Sequence, residues 1–291
     1  GGEYNSPAVY GKVFISILPN TGTVLTTSTK ASIVNLLQDY NVVSITPEVI
    51  DLETTKVVPT INFKYDANAT TKSASALEAL ITTAVTNYSS TTLEKFETVF
   101  RYSKFTTLID EVDPAILSNI TNIKMSKLFK PTLSSALKYT ISFSNALFNP
   151  HSGHLASTTG VVAGGILSST GFSLSGSLET WYLEDDGAGI VKAYYVSGTS
   201  KVYQAASVGT IDYTTGDVVL TKINITAVGD VDGATSTSVR ITVQPASNDV
   251  VPVRNQILQI DSVNLSVTGT ADTIAAGAGD AGVNYTTSAT Y

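Results

Sequence analysis

The spacing of apolar residues along this chain changes near Pro131. Before that point, several segments repeat apolar residues every three or four positions, as amphipathic helices do, and shorter runs between them alternate as strands do. After it, the helical spacing stops and short alternating runs follow one another, separated by turn residues. This change restricts the chain to an α+β region followed by a β-rich region.

The first region, residues 1–130, contains well-marked helices. In chain order, the patterns predict a strand, a helix, two strands, a long helix, a short helix and a strand, at Lys12–Leu18, Ile33–Tyr40, Val42–Leu52, Val57–Tyr65, Leu77–Tyr88, Phe105–Val112 and Asn122–Phe129. We expect the first helix to lay an apolar face on a sheet. The order is that of a ferredoxin-like split βαβ domain, with extra helical residues before its last strand.

Three local signals refine this prediction. Ser75 and Glu78 have the spacing of a capping box at the start of the long helix. Asp113-Pro114 should end the short helix, since proline disfavours helical backbone at the residue before it. Pro59 lacks an N–H group and so marks its strand as a sheet edge or a strand start.

The second region, residues 131–267, is predicted to form an antiparallel β-sandwich or a partly open barrel. Its strand patterns lie at Lys138–Phe143, Leu178–Leu183, Ile190–Val196, Thr210–Tyr213, Val218–Ile225, Val239–Val243 and Ile257–Val267. Turn signals separate them at 184–187, 215–217 and 230–233. Trp181, the only tryptophan, lies among apolar residues and is predicted to be part of the core.

Two segments are almost free of charge. Residues 152–177 contain no Asp, Glu, Lys or Arg, and residues 268–291, predicted as a Gly, Ala and Thr-rich tail, contain only Asp272 and Asp280. Either segment is expected to be a surface loop or frayed end, or a surface that a partner covers. Charged residues make up only 14% of the chain, and 41 Thr and 32 Ser take their place on the surface.

Charge and composition exclude several classes of partner. The formal net charge of −7 disfavours binding to a phosphate backbone, so nucleic acid is not expected as a partner. The longest run of small or apolar residues, Val161–Leu167, is far shorter than the ~18 residues of a membrane-spanning helix, so no membrane partner is expected. The chain has no cysteine, which removes disulfides and thiolate chemistry.

No catalytic, cofactor-binding or metal site is predicted, and the chain is not expected to be an enzyme. His151 and His154 are its only histidines, and as a pair in a Pro/Gly turn they are interpreted as loop residues, with metal binding left open. Ser173 lies in a G-F-S-L-S sequence that lacks the final glycine of a nucleophile elbow. The acidic turns at 184–186 and 230–232 lack the five ligands and distal Glu of a calcium loop.

An ordered set of motifs in the first half carries a resemblance to a known family. The motifs are Gly1-Gly2-Glu3, Pro7, the run YGKVFISI at 10–17, Pro19, the run YNVVSITP at 40–47, FRYSK at 100–104, LIDEVD at 108–113 and the segment 143–150. With them, the chain resembles the baseplate wedge subunit of T4-type contractile-tailed bacteriophages, related to the baseplate J-like family. The resemblance is carried by residues 1–150, and none of its motifs is catalytic.

The resemblance implies a virion structural protein of the tail baseplate, assembled in the host cytoplasm. It implies a segment from the C-terminal part of a longer chain. Such subunits associate with themselves, as homodimers or higher oligomers, and with other wedge proteins in a ring around the tail tube that rearranges on sheath contraction. The alternative is a β-sandwich module that binds a receptor or glycan, for which an exposed aromatic platform would be required.

Overall fold

The computed structural model of the chain describes residues 9–20, 24–40, 45–150 and 165–272. Its first elements are β1 (Lys12–Ser16), α1 (Thr27–Gln38), β2 (Thr46–Ile50), β3 (Glu53–Tyr65), α2 (Ala74–Tyr88), a π-helical turn (Ser89–Leu93), α3 (Tyr102–Asp110) and β4 (Ile116–Phe129). This is the predicted order of strands and helices. The structure extends the last two strands at their N-terminal ends, because residues beyond the clearest alternation also find pairing partners.

The remaining described elements are strands. They are β5 (Ala136–Ser142), β6 (Ser168–Ser169), β7 (Phe172–Leu174), β8 (Thr180–Asp185), β9 (Ile190–Ser197), β10 (Ser200–Tyr203), β11 (Gly209–Asp212), β12 (Asp217–Val228), β13 (Val239–Val243), β14 (Gln256–Ile260) and β15 (Ser266–Ala271). The described part of the chain is therefore mostly β, with few helices. The strand predicted over Ile257–Val267 is two strands, β14 and β15, with a turn between them.

The ferredoxin-like prediction is not what the described strands form. A ferredoxin-like domain places its four strands in one sheet, whereas β1 and β2 pair in parallel as a separate two-stranded sheet. Strand β3 has almost no free edge to offer them. One edge of β3 pairs with β4, and the other pairs with β14 and then with β15.

This arrangement also corrects the interpretation of Pro59. Strand β3 lies inside the sheet, so the prediction of an edge strand is wrong. On one side, however, β14 ends opposite Val57 and β15 begins opposite Thr60. Pro59 falls in the gap between these two partners, where its missing N–H interrupts no pairing on that side.

The first half of the core lies between β3 and α2. The inner face of β3 alternates as predicted, with Val57, Ile61 and Phe63 buried. Helix α2 buries Leu77, Ile81 and Val85, which recur every four residues and so share one stripe. Leu80, predicted to share that stripe, is 40% exposed.

The cap of α2 differs from the prediction. Ser73, not Ser75, is the N-cap, and its side chain accepts the Ala76 N–H at 3.2 Å. Glu78 instead accepts the Gly269 N–H at 2.9 Å and so joins α2 to β15. A Cβ atom on Gly269 would lie 2.5 Å from Cζ of Phe63, so only glycine lets β15 approach the core this closely.

In the β-rich region, pairing runs around a closed circuit of five strands. Strand β8 pairs with β9, which pairs with β11; β11 pairs with β12, β12 with β7, and β7 again with β8. The inward positions are buried, among them Phe172, Leu183, Val191 and Leu220. The expected sandwich or barrel is thus confirmed as a barrel-like sheet, which β6 and β13 connect to β4.

The division of the chain at residues 130 and 267 stays a prediction. The sheet continues across residue 130, since β13 pairs with β4. Residues 268–271, predicted to begin the tail, form most of β15. Of the uncharged segment 152–177, the described part contributes Leu167, Phe172 and Leu174 to the core; residues 152–164 and 273–291 lie outside the described residues.

Ion pairs and hydrogen bonds tie distant segments together. Arg240 in β13, whose side chain is 9% exposed, pairs with Asp232 in the turn at 230–233, and Asp232 also accepts from Nδ2 of Asn264 at 2.9 Å. Asp249 accepts the Tyr102 N–H at 2.8 Å and pairs with Arg101 at 2.8 Å. Asp249 therefore caps α3 from a position 147 residues further along the chain.

Replacing Asp232 with Asn should destabilise the fold by about 2 kcal/mol of unfolding free energy. The substitution leaves the buried Arg240 guanidinium without its charged partner. Asparagine tolerates the left-handed backbone at this residue, where φ is 57°, so the change isolates the loss of charge. The measurement is chemical denaturation, with Asp230→Asn, an exposed neighbour, as the matched control. Equal stability of the two variants would contradict the assignment.

Stability should fall as the pH drops below about 4, the unfolded pKa of aspartate. Hydrogen bonds from Lys72 to Asp113, from Arg240 to Asp232 and from Tyr102 N–H to Asp249 lower the pKa of each carboxyl. A lowered folded pKa contributes stability that is present above the unfolded pKa and is lost as pH falls through the folded pKa. Melting temperatures from pH 7 to pH 2.5 measure the loss, and a flat profile would argue against it.

Candidate assembly surface

The β1-α1-β2 unit has almost no interior of its own. Among its described residues, 9–50, only Pro47 is buried, and none belongs to the hydrophobic core cluster, whose first member is Val57. Helix α1 buries no residue. The expected contact between an apolar helix face and a sheet is therefore present only as partial burial of residues such as Ile33 and Leu37.

Local interactions nonetheless define the unit. Thr26 caps α1, its hydroxyl accepting the Thr29 N–H at 3.2 Å. Lys30 Nζ lies 2.6 Å from Oδ1 of Asp51 and so ties α1 to the chain after β2. Lys12 and Glu48, on the two paired strands, form an exposed ion pair of 2.7 Å. Exposed ion pairs contribute little, so these contacts fix the geometry more than the stability.

Large apolar side chains of the unit face solvent. They are Tyr10 (83% exposed), Val13 (37%), Val24 (61%), Leu36 (59%), Tyr40 (81%) and Ile45 (43%). A two-stranded sheet is marginal by itself, and parallel strands are normally covered on both faces. Among the described strands, β1 and β2 have no partner beyond each other. The unit therefore presents open strand edges and uncovered apolar side chains together.

A second surface feature is a row of tyrosines on the outside of the barrel-like sheet. Tyr182, Tyr194 and Tyr203 stand opposite one another on β8, β9 and β10, with ring centroids 5.6 and 5.7 Å apart. Lys201 Nζ lies 4.4 Å from the centroid of the Tyr194 ring and pairs with Glu184. The central ring is thus occupied by its neighbours, which stabilises the strand pairing and leaves little open aromatic face for a sugar.

Glu184 helps to raise the pKa values of two of its neighbours, Lys201 and Tyr203. The hydrogen bond to Glu184 raises the pKa of Lys201 above its ordinary value. Partial burial and the hydrogen bond to Glu184 raise the pKa of Tyr203. Both groups therefore keep their protons at neutral pH. Strand alternation in the sequence identifies the outward tyrosines, but only the cross-strand register brings them into one row.

Trp181 lies on the opposite side of the same strand from this row. It packs against the core, its ring lies 5.0 Å from that of Tyr195, and Nε1 donates to Oγ of Ser177 at 2.8 Å. The ring is only partly buried, at the margin of the core that the sequence predicts.

The acidic turns are held by hydrogen bonds from the protein itself. Asp185 accepts from Leu167 N–H at 2.7 Å and from the Tyr213 hydroxyl at 2.6 Å. Asp186 accepts from the N–H groups of Ala188 and Ile190, in the manner of an Asx turn. Burial and the bond to Asp185 raise the pKa of Tyr213 far above its usual range. These carboxylates stabilise the turn that the sequence predicts by accepting backbone hydrogen bonds.

The remaining sequence candidates do not come together as a site. Ser173 lies within β7 and is followed by the strand β8. His151 and His154 lie outside the described residues. Among residues that the structure describes, no group of three or more His, Cys, Asp or Glu could hold a metal ion. Within the same part of the chain, no helix is long and apolar enough to cross a membrane.

Comparison with known proteins finds similarity in the first half of the chain. Residues 1–50 match the family described as "Baseplate structural protein gp6, C-terminal domain I", and residues 55–128 match "Baseplate structural protein gp6, C-terminal domain III". The baseplate wedge protein gp6 of Enterobacteria phage T4 is 30% identical over 132 residues, which cover 44% of this chain and 20% of that protein. The chain thus spans about a fifth of the relative that it matches.

Both families and the relative are described as structural or wedge proteins of a phage tail baseplate, which is the class of protein that this chain is similar to. More particularly, residues 1–50 and 55–128 are similar to the C-terminal domains I and III of that baseplate protein, in line with the resemblance that the sequence motifs carry. The boundary between the two matched domains falls at residues 51–54, where the chain passes from β2 into β3. The β1-α1-β2 unit therefore corresponds to one family domain.

The amides of the β1-α1-β2 unit should exchange hydrogen much faster than those of β3 and β4 in the isolated chain. Because the unit buries only Pro47, its opening should cost roughly 3 kcal/mol less, which is on the order of 100-fold faster exchange. Exchange followed by mass spectrometry compares peptides from 12–50 with peptides from 53–65. Equal protection at low protein concentration would contradict the assignment of an open unit.

Proposed function

We propose that this chain is a non-catalytic assembly subunit that associates with itself, as a homodimer or higher oligomer, and binds other wedge proteins. In the baseplate it would help build the ring around the tail tube that rearranges on sheath contraction. The observation that carries this proposal is the β1-α1-β2 unit, which exposes six large apolar side chains and has no core of its own.

The β1-α1-β2 unit needs a neighbour to cover its apolar surface. Two parallel strands and one helix cannot bury enough apolar surface to remain folded alone, so a neighbour must cover them. A second copy can do so symmetrically, since the same open edge is available on each copy. The low charge of the whole chain favours such burial, because few charges have to lose their water at an interface.

The proposal includes neither nucleic acid nor membrane as a partner. The net charge of −7 argues against a phosphate backbone. The glycan-binding alternative loses support, because the tyrosine row is occupied by its own rings and by Lys201.

Replacing Leu36 with Ser should weaken self-association by about tenfold or more. The leucine side chain lies in the proposed interface, and serine removes the free energy gained when this apolar side chain leaves water on association. Light scattering coupled to size exclusion, over a range of concentrations, measures the oligomer. Leu178→Ser is the matched control, since Leu178 is fully exposed and lies outside the unit. Both variants should keep the melting temperature of the β3–β4 core.

The same measurement can overturn the proposed interface. If Leu36→Ser associates like Leu178→Ser and like the unchanged chain, the β1-α1-β2 unit is not the self-association surface. If the unchanged chain stays monomeric at every concentration, the chain does not associate with itself.

A further inference from the structure

The outer face of three paired strands in the barrel-like sheet carries its charges in two separate rows. Strands β5, β12 and β11 lie side by side, with β12 in the middle. Val218 and Leu220, which flank Val219 along β12, are buried, so Val219 lies on the outer face. Thr140 on β5 and Thr210 on β11 stand opposite Val219. The centre of this face is therefore a row of three small, uncharged residues, none of which is buried.

An acidic row lies two residues from this centre in one direction. Asp212 and Asp217 stand directly opposite each other on β11 and β12. The N–H groups of Thr214 and Thr215 donate to Asp212 Oδ1 at 2.8 and 3.2 Å, and they hold the pKa of its carboxyl below its ordinary value. Asp212 is therefore charged at neutral pH. Like charges directly opposite on paired strands are destabilising, so a cation placed against this row would relieve the repulsion.

A cationic row lies at nearly the same spacing in the other direction. The register of β12 against β5 shifts between Leu220 and Ile223, so Thr221 and Lys222 together stand opposite Lys138. Lys138 and Lys222 are both exposed. Lys222 has a φ of 52°, a left-handed backbone that glycine adopts without strain and lysine does not. Strained backbone of this kind clusters at functional positions, which indicates a role for the Lys222 side chain.

Neither row is neutralised within the described structure. In the part of the chain that the structure describes, no ion pair includes Asp212, Asp217, Lys138 or Lys222. Residues 114–178, which include β5, contain four Lys and no Asp or Glu. The two rows lie roughly 15 Å apart along the strands, at about 3.4 Å per residue. This separation exceeds the screening length of physiological salt, so the rows do not neutralise each other within one copy.

We propose that this face binds the same face of a second copy of the chain, about a two-fold axis that passes between the two copies at Val219. A two-fold contact uses one patch on both copies, so the patch has to be complementary to itself. The two rows satisfy this requirement, because they carry opposite charges at nearly equal distances from the central row. The axis places the acidic row of each copy on the cationic row of the other. The small side chains of the central row let the two sheets approach closely.

The pattern of charge on the face favours a second copy over other occupants. A phosphate backbone or an anionic lipid surface is negative throughout, so the acidic row and the net charge of −7 would both repel it. An unrelated protein would need both charges in the same arrangement, which a second copy provides by symmetry. The inference rests on the proposed self-association, but it uses a surface separate from the β1-α1-β2 unit.

The test reverses each row separately. All variants carry Leu36→Ser, so that association through the β1-α1-β2 unit does not contribute. Lys138→Glu with Lys222→Glu removes both cations of the face, and Asp212→Asn with Asp217→Lys removes both of these carboxylates. An asparagine side chain still accepts the N–H groups of the turn after β11, which preserves the hairpin. These two double changes are the row variants.

The control changes the charge by the same amount elsewhere. Lys64→Glu with Lys104→Glu is suitable, because both lysines are exposed and lie on β3 and α3. Light scattering over a range of concentrations, at low and at physiological salt, measures the dimer. Each row variant alone should associate about tenfold more weakly than the Leu36→Ser chain, since like charges then face each other. The control should associate as the Leu36→Ser chain does.

Mixing the two row variants in equal amounts provides the decisive measurement. One face is then acidic and the other cationic, so the mixture should form a dimer that neither variant forms alone. Such rescue shows that the variants are folded and that the two rows meet across the contact.

Three results would each overturn the proposal: a Leu36→Ser chain that is monomeric at every concentration, row variants that associate like the control, or a mixture that associates no better than its components. If the unchanged chain associates and the Leu36→Ser chain does not, the β1-α1-β2 interface stands and the two-fold contact falls. If Leu36→Ser leaves association intact and the row variants lose it, the two-fold contact stands and the β1-α1-β2 interface falls.

Discussion

Strand β3 pairs with β4 along one edge and with β14 and β15 in succession along the other. Its buried face and that of α2 belong to one hydrophobic core, and its ladder joins the first region to residues 256–271. Because β4, β14 and β15 take nearly all of both edges, β1 and β2 pair apart from this sheet. The separate β1-α1-β2 unit and the position of Pro59 between two partner strands both follow from the pairing of this one strand.

The consequence for assembly is an uneven distribution of stability. Residues from β3 onward share a continuous core, whereas the unit before β3 depends on local hydrogen bonds and on ion pairs at the surface. Elements of low local stability are those that are able to reorient. The proposed contact surface therefore lies on a unit that is able to reorient while the core from β3 onward stays intact.

The predictions from sequence succeeded where the pattern was local. The alternation in β3 and the four-residue spacing in α2 identified the buried faces, because strand and helix periods act within one element. The capping box predicted at Ser75 was wrong because the helix begins two residues earlier, with Ser73 as its N-cap, although Ser73 has no Glu or Gln three residues later. The predicted order of strands and helices along the chain was right, but the strand pairing of a ferredoxin-like sheet was not found. The order of elements does not specify which strand edges pair.

The sequence alone determined the helices, most of the strands, the acidic turns and the resemblance of residues 1–128 to a known family, since these depend on neighbouring residues or on the order of motifs along the chain. Only the tertiary structure decided that β3 is interior, that the barrel-like circuit closes between β8 and β9, and that the charges of β5, β11 and β12 fall into two rows. Pairing between strands far apart in sequence depends on competition for a limited number of edges. That competition is settled by the whole fold and leaves no local pattern in the chain.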